Sequence, residues 1–196
     1  MNLPNKLTIS RFLLTGLFLA VIFSEAPYHE SLALLLFSAA SLTDYFDGKI
    51  ARRDKLITNF GILMDPLADK ILVCSAFIAF VGRVWMPAWM VVIIVARELA
   101  ITGLRLLAAS KNVVLAAEGY GKHKTISQIV AIISVLVLMS YRQWGVAGQS
   151  VFGFSIFGHP WVAGFTALSK WVAVGLTLIS GGFYLWRNRA LYLQDL

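Results

Sequence analysis

The chain has 196 residues, of which 59% are hydrophobic, and its mean hydropathy is +0.76; a soluble domain is roughly 45–50% apolar. Too little polar sequence remains to cover a soluble core, and the formal charge of +7 is spread over the ends of apolar segments rather than gathered in one nucleic-acid-binding block. The single cysteine excludes an internal disulfide and a multi-cysteine metal site. We therefore predict one helical membrane domain over residues 1–196, with no nucleic-acid partner.

Six stretches predict an all-α, polytopic membrane protein with six transmembrane helices, because a helix needs about 20 mostly apolar residues to cross a bilayer. A short N-terminal juxtamembrane segment precedes the first stretch. A glycine-rich loop is expected at Gly145–Gly164, before the last one. The predicted helices lie near Thr8–Phe23, Ser31–Lys49, Phe60–Phe80, Pro87–Leu107, Thr125–Met139 and Val162–Trp186.

Lysine and arginine are concentrated in the connectors on one side of the predicted helices, and this bias predicts that the side faces the cytoplasm. With an even number of spans, both termini lie on the same side. The opposite connectors carry chiefly Arg83 and Arg142. The cytoplasmic set comprises Lys6, Lys49, Arg52, Arg53, Lys55, Lys111, Lys122, Lys124, Arg187 and Arg189.

Two pairs of aspartates interrupt the second and third predicted helices. Asp44 and Asp47 are three residues apart and Asp65 and Asp69 are four apart, so each pair is expected on one face of its helix. The two helices are consecutive and joined by a short polar turn, which predicts that both pairs reach the same depth from the cytoplasmic side. Four carboxylates in a low-dielectric site repel one another unless cations compensate them.

We expect the compensating cations to be divalent. A site of carboxylates and water suits Mg²⁺ or Mn²⁺, and Mg²⁺ usually keeps coordination positions open for a substrate phosphate. Gly48 and Gly61 leave room between the helices for such a ligand, and Arg52 offers a planar fork to a phosphate oxygen. The alternative interpretation pairs each acid with a nearby Lys or Arg as an ordinary juxtamembrane charge, which is less compatible with four acids at helical spacing.

The segment between the first and last of these aspartates resembles the signature of the CDP-alcohol phosphotransferase family, D-x-x-D-G-x-x-A-R-x(8)-G-x-x-x-D-x-x-x-D. The resemblance implies a six-helix membrane fold, a CDP-linked donor and two metal ions. It also implies that the four aspartates are the metal ligands and that Asp69 is the general base. The donor, CDP-diacylglycerol, would be bound by Gly48, Ala51, Arg52, Thr58 and Gly61. All eight fixed positions are filled, by Asp44, Asp47, Gly48, Ala51, Arg52, Gly61, Asp65 and Asp69.

Outside the signature, short patterns resemble the bacterial phosphatidylglycerophosphate synthases. This resemblance implies transfer of the phosphatidyl group from CDP-diacylglycerol to sn-glycerol 3-phosphate, with release of CMP, in phospholipid biosynthesis. It also implies a homodimer in the bacterial inner membrane with the active site facing the cytoplasm. The patterns are Asn2-Leu3-Pro4-Asn5-Lys6-Leu7-Thr8 with Arg11, Arg97-Glu98, Gly103-Leu104-Arg105 and Gly121-Lys122-His123-Lys124-Thr125.

A phosphorylated acceptor needs cations beside an already anionic donor. Arg105, Lys122 and Lys124 lie in or near the connector after the fourth predicted helix and are expected to bind the acceptor's phosphate, although the positive-inside bias alone would also place them there. Arg97 lies deeper, next to Glu98, where an unpaired charge would be costly. We expect it either to form a buried ion pair or to contact a ligand.

Other interpretations remain open. Inositol phosphate would satisfy the same cations, and phosphatidylglycerol or serine are further acceptors for the same reaction. An ion-coupled membrane transporter is the alternative from a different class, since intramembrane carboxylates often mark ion pathways. Transporters commonly carry paired internal repeats, whereas this chain has one aspartate cluster and no second copy. The sequence does not distinguish Mg²⁺ from Mn²⁺ or reveal the acyl-chain preference.

Overall fold

The computed structural model describes residues 3–54, 59–111, 113, 120–156 and 158–193. Side chains are described for residues 9–43, 67–68, 70–111, 113, 123–156 and 158–192.

In this part of the chain, six helices of 20 to 27 residues make up most of the structure. Each contains one of the six stretches predicted from the sequence, apart from the single end residues Phe23 and Pro87, so the all-α fold class is confirmed. Two shorter helices, α6 and α8, flank the last long one. The helices are α1 (Leu3–Ile22), α2 (His29–Asp54), α3 (Asn59–Gly82), α4 (Ala88–Ser110), α5 (Tyr120–Ser140), α6 (Gly145–Phe152), α7 (Trp161–Arg187) and α8 (Ala190–Leu193).

Prolines mark the beginnings of three long helices. Pro87 and Pro160 immediately precede α4 and α7, with φ of −64° and −56°, the range in which the proline ring holds the backbone. Helix α1 begins at Leu3, so the expected juxtamembrane segment is continuous with this helix rather than separate from it. Pro4 fits in the first turn of α1 because backbone N–H groups there have no partner within the helix.

The loop predicted over Gly145–Gly164 does connect two long helices, but it contains short regular elements rather than irregular chain alone. The segment contains ordered elements, and α7 already begins at Trp161. Gly145 and Gly158 have φ of 66° and 82°, a backbone region that side chains disfavour, so they permit the chain reversals between these elements. The elements that precede α7 are a 3-10 helix (Tyr141–Trp144), α6, and two short antiparallel strands, β1 (Ser155–Ile156) and β2 (His159–Pro160).

The long helices pack into one bundle. Helix α1 lies against α2 and α3, α5 lies against α2, α3 and α7, and α4 lies against α3 and α7. Helices α2 and α3 therefore share the neighbours α1 and α5. One buried apolar cluster draws on all six long helices. Within it, the rings of Phe18 and Phe37 join α1 to α2, with their centroids 5.9 Å apart.

Helix α7 shows an inside-out distribution of side chains. Its buried face carries the hydroxyls of Thr166, Ser169, Thr177 and Ser180, whereas large apolar side chains are exposed. Small and hydroxyl residues are the ones that helices bury against each other in lipid, since acyl chains solvate large apolar side chains well. The exposed set includes Leu168, Trp171, Leu178, Ile179, Phe183 and Trp186.

Among the described residues, two stretches are long and apolar enough to cross a membrane, His123–Phe152 and Trp161–Arg187. Two shorter apolar helical stretches are Ile9–Ile22 and Lys70–Gly82. The apolar sequence of α4 is interrupted by three charged residues, Arg97, Glu98 and Arg105. The arrangement of six membrane spans therefore stays a prediction.

The bundle has two polar ends. At the first, which we call the His29 end, Arg83 Nη2 lies 2.7 Å from His29 Nε2, and Ser31 Oγ donates to Gln143 Oε1 at 2.7 Å. The second, which we call the Arg105 end, is marked by Arg105 in the last third of α4. The 23 residues of α4 connect the two ends, which corresponds to roughly 35 Å of helix.

Candidate active site

The two aspartate pairs fall where α2 ends and α3 begins. Asp44 and Asp47 lie in the second half of α2, and Asp65 and Asp69 lie in the first half of α3. The backbone is helical at all four positions, as predicted, so the members of each pair are about one turn apart. The side chains of the four aspartates lie outside the described residues, and their role as metal ligands stays a prediction.

The remaining signature positions belong to the same two helices. Gly48, Ala51 and Arg52 lie in α2, and Gly61 lies in α3. Thr58, in the connection between the helices, lies outside the described residues, as do the side chains of Ala51 and Arg52. The signature therefore forms a helix–connection–helix unit, and its residues for binding the donor stay a prediction.

The four aspartates would supply the ligands of the predicted metal site. No group of three or more His, Cys, Asp or Glu that could hold a metal occurs among the described residues. The four aspartates lie outside that set, and they offer oxygen ligands alone. Oxygen-only coordination fits Mg²⁺ or Mn²⁺ and does not fit zinc, which prefers nitrogen and sulfur.

A buried polar layer begins one residue beyond Asp69. Lys70 on α3 donates a hydrogen bond to Thr102 Oγ1 on α4, and Thr102 Oγ1 donates to the carbonyl oxygen of Glu98 at 2.7 Å. A cavity of about 10 Å³ lies in this layer, which is about the space of one water molecule. The cavity is lined by Lys70, Val73, Cys74, Glu98, Lys124, Thr125 and Gln128.

Glu98 is the centre of the charged contacts in this layer. It is 7% exposed, and Lys124, which is 5% exposed, donates a hydrogen bond to Glu98 Oε1 from α5. Arg97 Nη1 lies 3.3 Å from the same oxygen. The predicted contact between Arg97 and Glu98 is therefore present, but the ion pair that joins two helices is formed by Lys124.

Arg97 connects the layer to α7. Its Nη2 donates to Ser180 Oγ at 3.4 Å. A Cβ atom at Gly181 would lie 2.7 Å from Arg97 Cγ, so the absence of a side chain at Gly181 leaves room for the arginine stem. The contacts of Arg97 and Glu98 together link α4 to both α5 and α7.

The three cations predicted to bind the acceptor have different environments. Arg105 is exposed: its Nε donates to Tyr184 Oη at 3.3 Å, and its guanidinium carbon lies 5.6 Å from the centroid of that ring. Lys124 is buried and paired with Glu98. Lys122 lies in α5, with its side chain outside the described residues. The described contacts thus assign Arg105 and Lys124 to different partners.

Polar contacts between α5 and α7 were not predicted from the sequence. Gln128 Nε2 donates to Thr177 Oγ1 at 3.1 Å, and the hydroxyls of Ser134 and Ser169 lie 2.7 Å apart. All four side chains are buried. Isolated hydroxyl and amide residues inside two otherwise apolar helices were the available signal, because such residues commonly join helices in lipid.

The chain matches a family model described as CDP-alcohol phosphatidyltransferase over residues 1–179. A relative in Bacillus subtilis, named CDP-diacylglycerol–glycerol-3-phosphate 3-phosphatidyltransferase, is 39% identical, with 95% of each chain covered. A relative of the same name in Rickettsia bellii is 34% identical, with 93% of each chain covered. A probable phosphatidylglycerophosphate synthase of Mycobacterium tuberculosis is 40% identical over 67% of this chain and 64% of its own. This chain therefore belongs to the CDP-alcohol phosphatidyltransferase family, as its signature predicted.

Proposed function

We propose that this chain transfers the phosphatidyl group of CDP-diacylglycerol to sn-glycerol 3-phosphate, forming phosphatidylglycerophosphate and CMP in phospholipid biosynthesis. The observation that carries the proposal is the complete signature on two consecutive helices, α2 and α3. The relative in Bacillus subtilis that is named for this reaction supports it, because the match extends over 95% of both chains.

The four aspartates would hold the metal ions of the reaction. Asp44, Asp47, Asp65 and Asp69 provide an oxygen-only donor set for two divalent cations, Mg²⁺ or Mn²⁺. When bound, these cations would offset the negative charge of the diphosphate and of the departing CMP. Removal of divalent ions with a chelator is expected to abolish turnover, and added Mg²⁺ or Mn²⁺ is expected to restore it.

Asp69 would act as the general base. Its carboxylate accepts the proton of an acceptor hydroxyl, whose oxygen forms a bond to the phosphorus that carries the diacylglycerol. The bond from that phosphorus to the CMP oxygen breaks, and its electron pair leaves with CMP. Asp69 lies about one turn from Asp65 on α3, which supports a role near both the metal ions and the reacting hydroxyl.

The donor would be held by the other signature residues. Gly48, Ala51 and Gly61 are small and allow a diphosphate to approach the helix backbones closely. Arg52 has a planar guanidinium, which suits two phosphate oxygens at once. Thr58 would add a hydroxyl from the connection between the two helices.

The acceptor's phosphate would be bound by Arg105, Lys122 and Lys124. Two described contacts support this assignment. Arg105 is exposed and oriented by Tyr184, and Lys124 lines the same small cavity as Lys70, the residue that follows Asp69 in α3. The cation of Lys124 thereby lies near the depth of the proposed base.

We also propose that α1 to α5 and α7 cross the bacterial inner membrane as a single domain over residues 1–196. Both termini and the active site would face the cytoplasm, in agreement with the distribution of Lys and Arg. The inward hydroxyls and outward apolar side chains of α7 support contact with lipid. A homodimer is proposed from the family resemblance.

The test is CMP release from CDP-diacylglycerol by the purified protein with Mg²⁺. The acceptors compared are sn-glycerol 3-phosphate, inositol phosphate, phosphatidylglycerol, serine and none. Release that depends on glycerol 3-phosphate is the expected result. Release with another acceptor alone would retain the reaction class and overturn the acceptor. A folded protein that releases no CMP with any acceptor would favour the transporter.

A further inference from the structure

We propose that Glu98 is a positioning residue for the acceptor: it holds the ammonium group of Lys124 in the place where that group binds the acceptor's phosphate. The proposal rests on the function proposed above and adds a residue outside the family signature. Glu98 belongs to α4 and Lys124 to α5, so the contact between them joins these two helices.

The burial of the pair is the first observation. Glu98 and Lys124 are 7% and 5% exposed, respectively, and their ion pair crosses from α4 to α5. A buried charge is costly unless it is paired and hydrogen-bonded, so neither residue would occupy this place at low cost without the other. The position of the Lys124 ammonium therefore depends on the carboxylate of Glu98.

The second observation is that Glu98 is itself fixed. Arg97 Nη1 lies 3.3 Å from Glu98 Oε1, the same oxygen that accepts from Lys124. Arg97 is anchored to α7 through Ser180 Oγ at 3.4 Å and packs closely on Gly181. A carboxylate that contacts both Arg97 and Lys124 has little freedom to rotate. The position of the Lys124 ammonium therefore depends on how α4 packs against α7.

The third observation is the location of the pair relative to the proposed base. Glu98, Lys124 and Lys70 line the same cavity, and Lys70 follows Asp69 directly in α3. The cavity, about 10 Å³, admits a water molecule but is too small for a phosphate group. The acceptor's phosphate would therefore bind at the edge of this layer rather than inside it.

Lysine chemistry permits both contacts. An ammonium group carries three N–H donors, so a bond to Glu98 is compatible with a second bond to a phosphate oxygen. Charge-assisted hydrogen bonds of this kind depend strongly on geometry. Displacement of the ammonium by loss of Glu98 would weaken phosphate binding without touching the donor site on α2 and α3.

The experiment compares steady-state kinetics of the full-length wild type and Glu98→Gln, which keeps the shape of the side chain and removes its charge. We expect the KM for glycerol 3-phosphate to rise about tenfold, the size of one charge-assisted hydrogen bond. The KM for CDP-diacylglycerol is expected to change less than twofold. The matched control is Glu30→Gln, the same change at the His29 end, and it should leave both KM values unchanged.

The double variant E98K/K124E tests whether an ion pair of either direction is sufficient at this place. It keeps an ion pair between α4 and α5 but moves the cation to α4. If Glu98 positions the cation, the acceptor KM stays raised even when thermal stability in detergent recovers. Recovery of the acceptor KM together with stability would overturn the proposal, because a structural ion pair would then be sufficient. If the double variant does not fold, the comparison between the acceptor KM and the donor KM in Glu98→Gln tests the proposal.

The outcomes also distinguish this inference from the function on which it rests. A wild type that releases no CMP with glycerol 3-phosphate would refute the proposed function before any variant is compared. An active wild type, combined with a folded Glu98→Gln variant whose acceptor KM is unchanged or whose two KM values rise equally, would refute the role of Glu98 alone.

Discussion

The two ends of the bundle use polar side chains differently. At the His29 end, side chains from α2 pair with the chain near the ends of α3 and α5: Ser31 bonds Gln143 at 2.7 Å, and Trp144 Nε1 donates to Ser31 Oγ at 2.9 Å. At the Arg105 end, α2 and α3 bring four aspartates of one signature onto consecutive helices. The first arrangement satisfies polar groups within the fold, whereas for the second we propose that a ligand compensates the like charges.

The comparison provides matched positions for experiments. Glu30 and Glu98 are both paired with a basic side chain, but Glu30 contacts His29 at 3.2 Å at one end and Glu98 contacts Lys124 in the buried layer. If the His29 end is structural and the other end is catalytic, equal substitutions should have unequal kinetic effects.

Asp69→Asn is expected to have the largest effect. Asparagine keeps the shape of the side chain but does not accept the proton of the acceptor, and loss of a general base costs roughly 10²–10⁴-fold in turnover. Some binding of metal and CDP-diacylglycerol should remain, which equilibrium binding of the donor would measure. Turnover at the wild-type rate in this variant would exclude Asp69 as the base.

Gly48→Leu is expected to block donor binding, because the leucine side chain would fill the space proposed for the diphosphate between α2 and α3. The control is Gly103→Leu on α4, where a Cβ atom would meet nothing within 4 Å. Binding of CDP-diacylglycerol should be lost in the first variant and retained in the second. Equal donor affinity in the two variants would place the donor elsewhere.

Arg105→Ala is expected to raise the KM for glycerol 3-phosphate about tenfold, with less effect on the donor, through loss of a charge-assisted contact to phosphate. Arg83→Ala is the control at the His29 end, where the arginine contacts His29. Steady-state kinetics with each substrate varied in turn would measure the difference. An unchanged acceptor KM in Arg105→Ala would remove this residue from the phosphate site.

Gly181→Ala is expected to act on stability. The new Cβ would lie 2.7 Å from Arg97 Cγ and force the arginine stem to move, at a cost of about 1–3 kcal/mol. The neighbouring change Gly182→Ala meets nothing within 4 Å and should leave stability unchanged or slightly higher. Melting temperatures in detergent would test this, and equal values for the two variants would contradict the predicted crowding.

The fold class, the positions of the long helices and the family could all be predicted from the amino-acid sequence. Apolar stretches of helix length are local features, and each of the six predicted stretches lies within an observed long helix to within one residue at its ends. The signature is also local, since its eight fixed positions occupy one continuous segment from Asp44 to Asp69. Spacing of three and four residues is sufficient to predict that each aspartate pair shares a turn of helix.

The polar residues that meet across helices could be identified only in the folded bundle. Glu98 and Lys124 are 26 positions apart, and Gln128 and Thr177 are 49 apart; helical periodicity indicates a face of one helix but not the residue that it meets on another. The short helix and strands within Gly145–Gly164 were also not predicted from the sequence. Glycine indicates a chain reversal but does not specify the short elements between reversals. Lys124 illustrates the physical reason most directly. Its sequence position suggested a cytoplasmic connector, whereas the folded bundle buries its ammonium beside the carboxylate of Glu98 on α4.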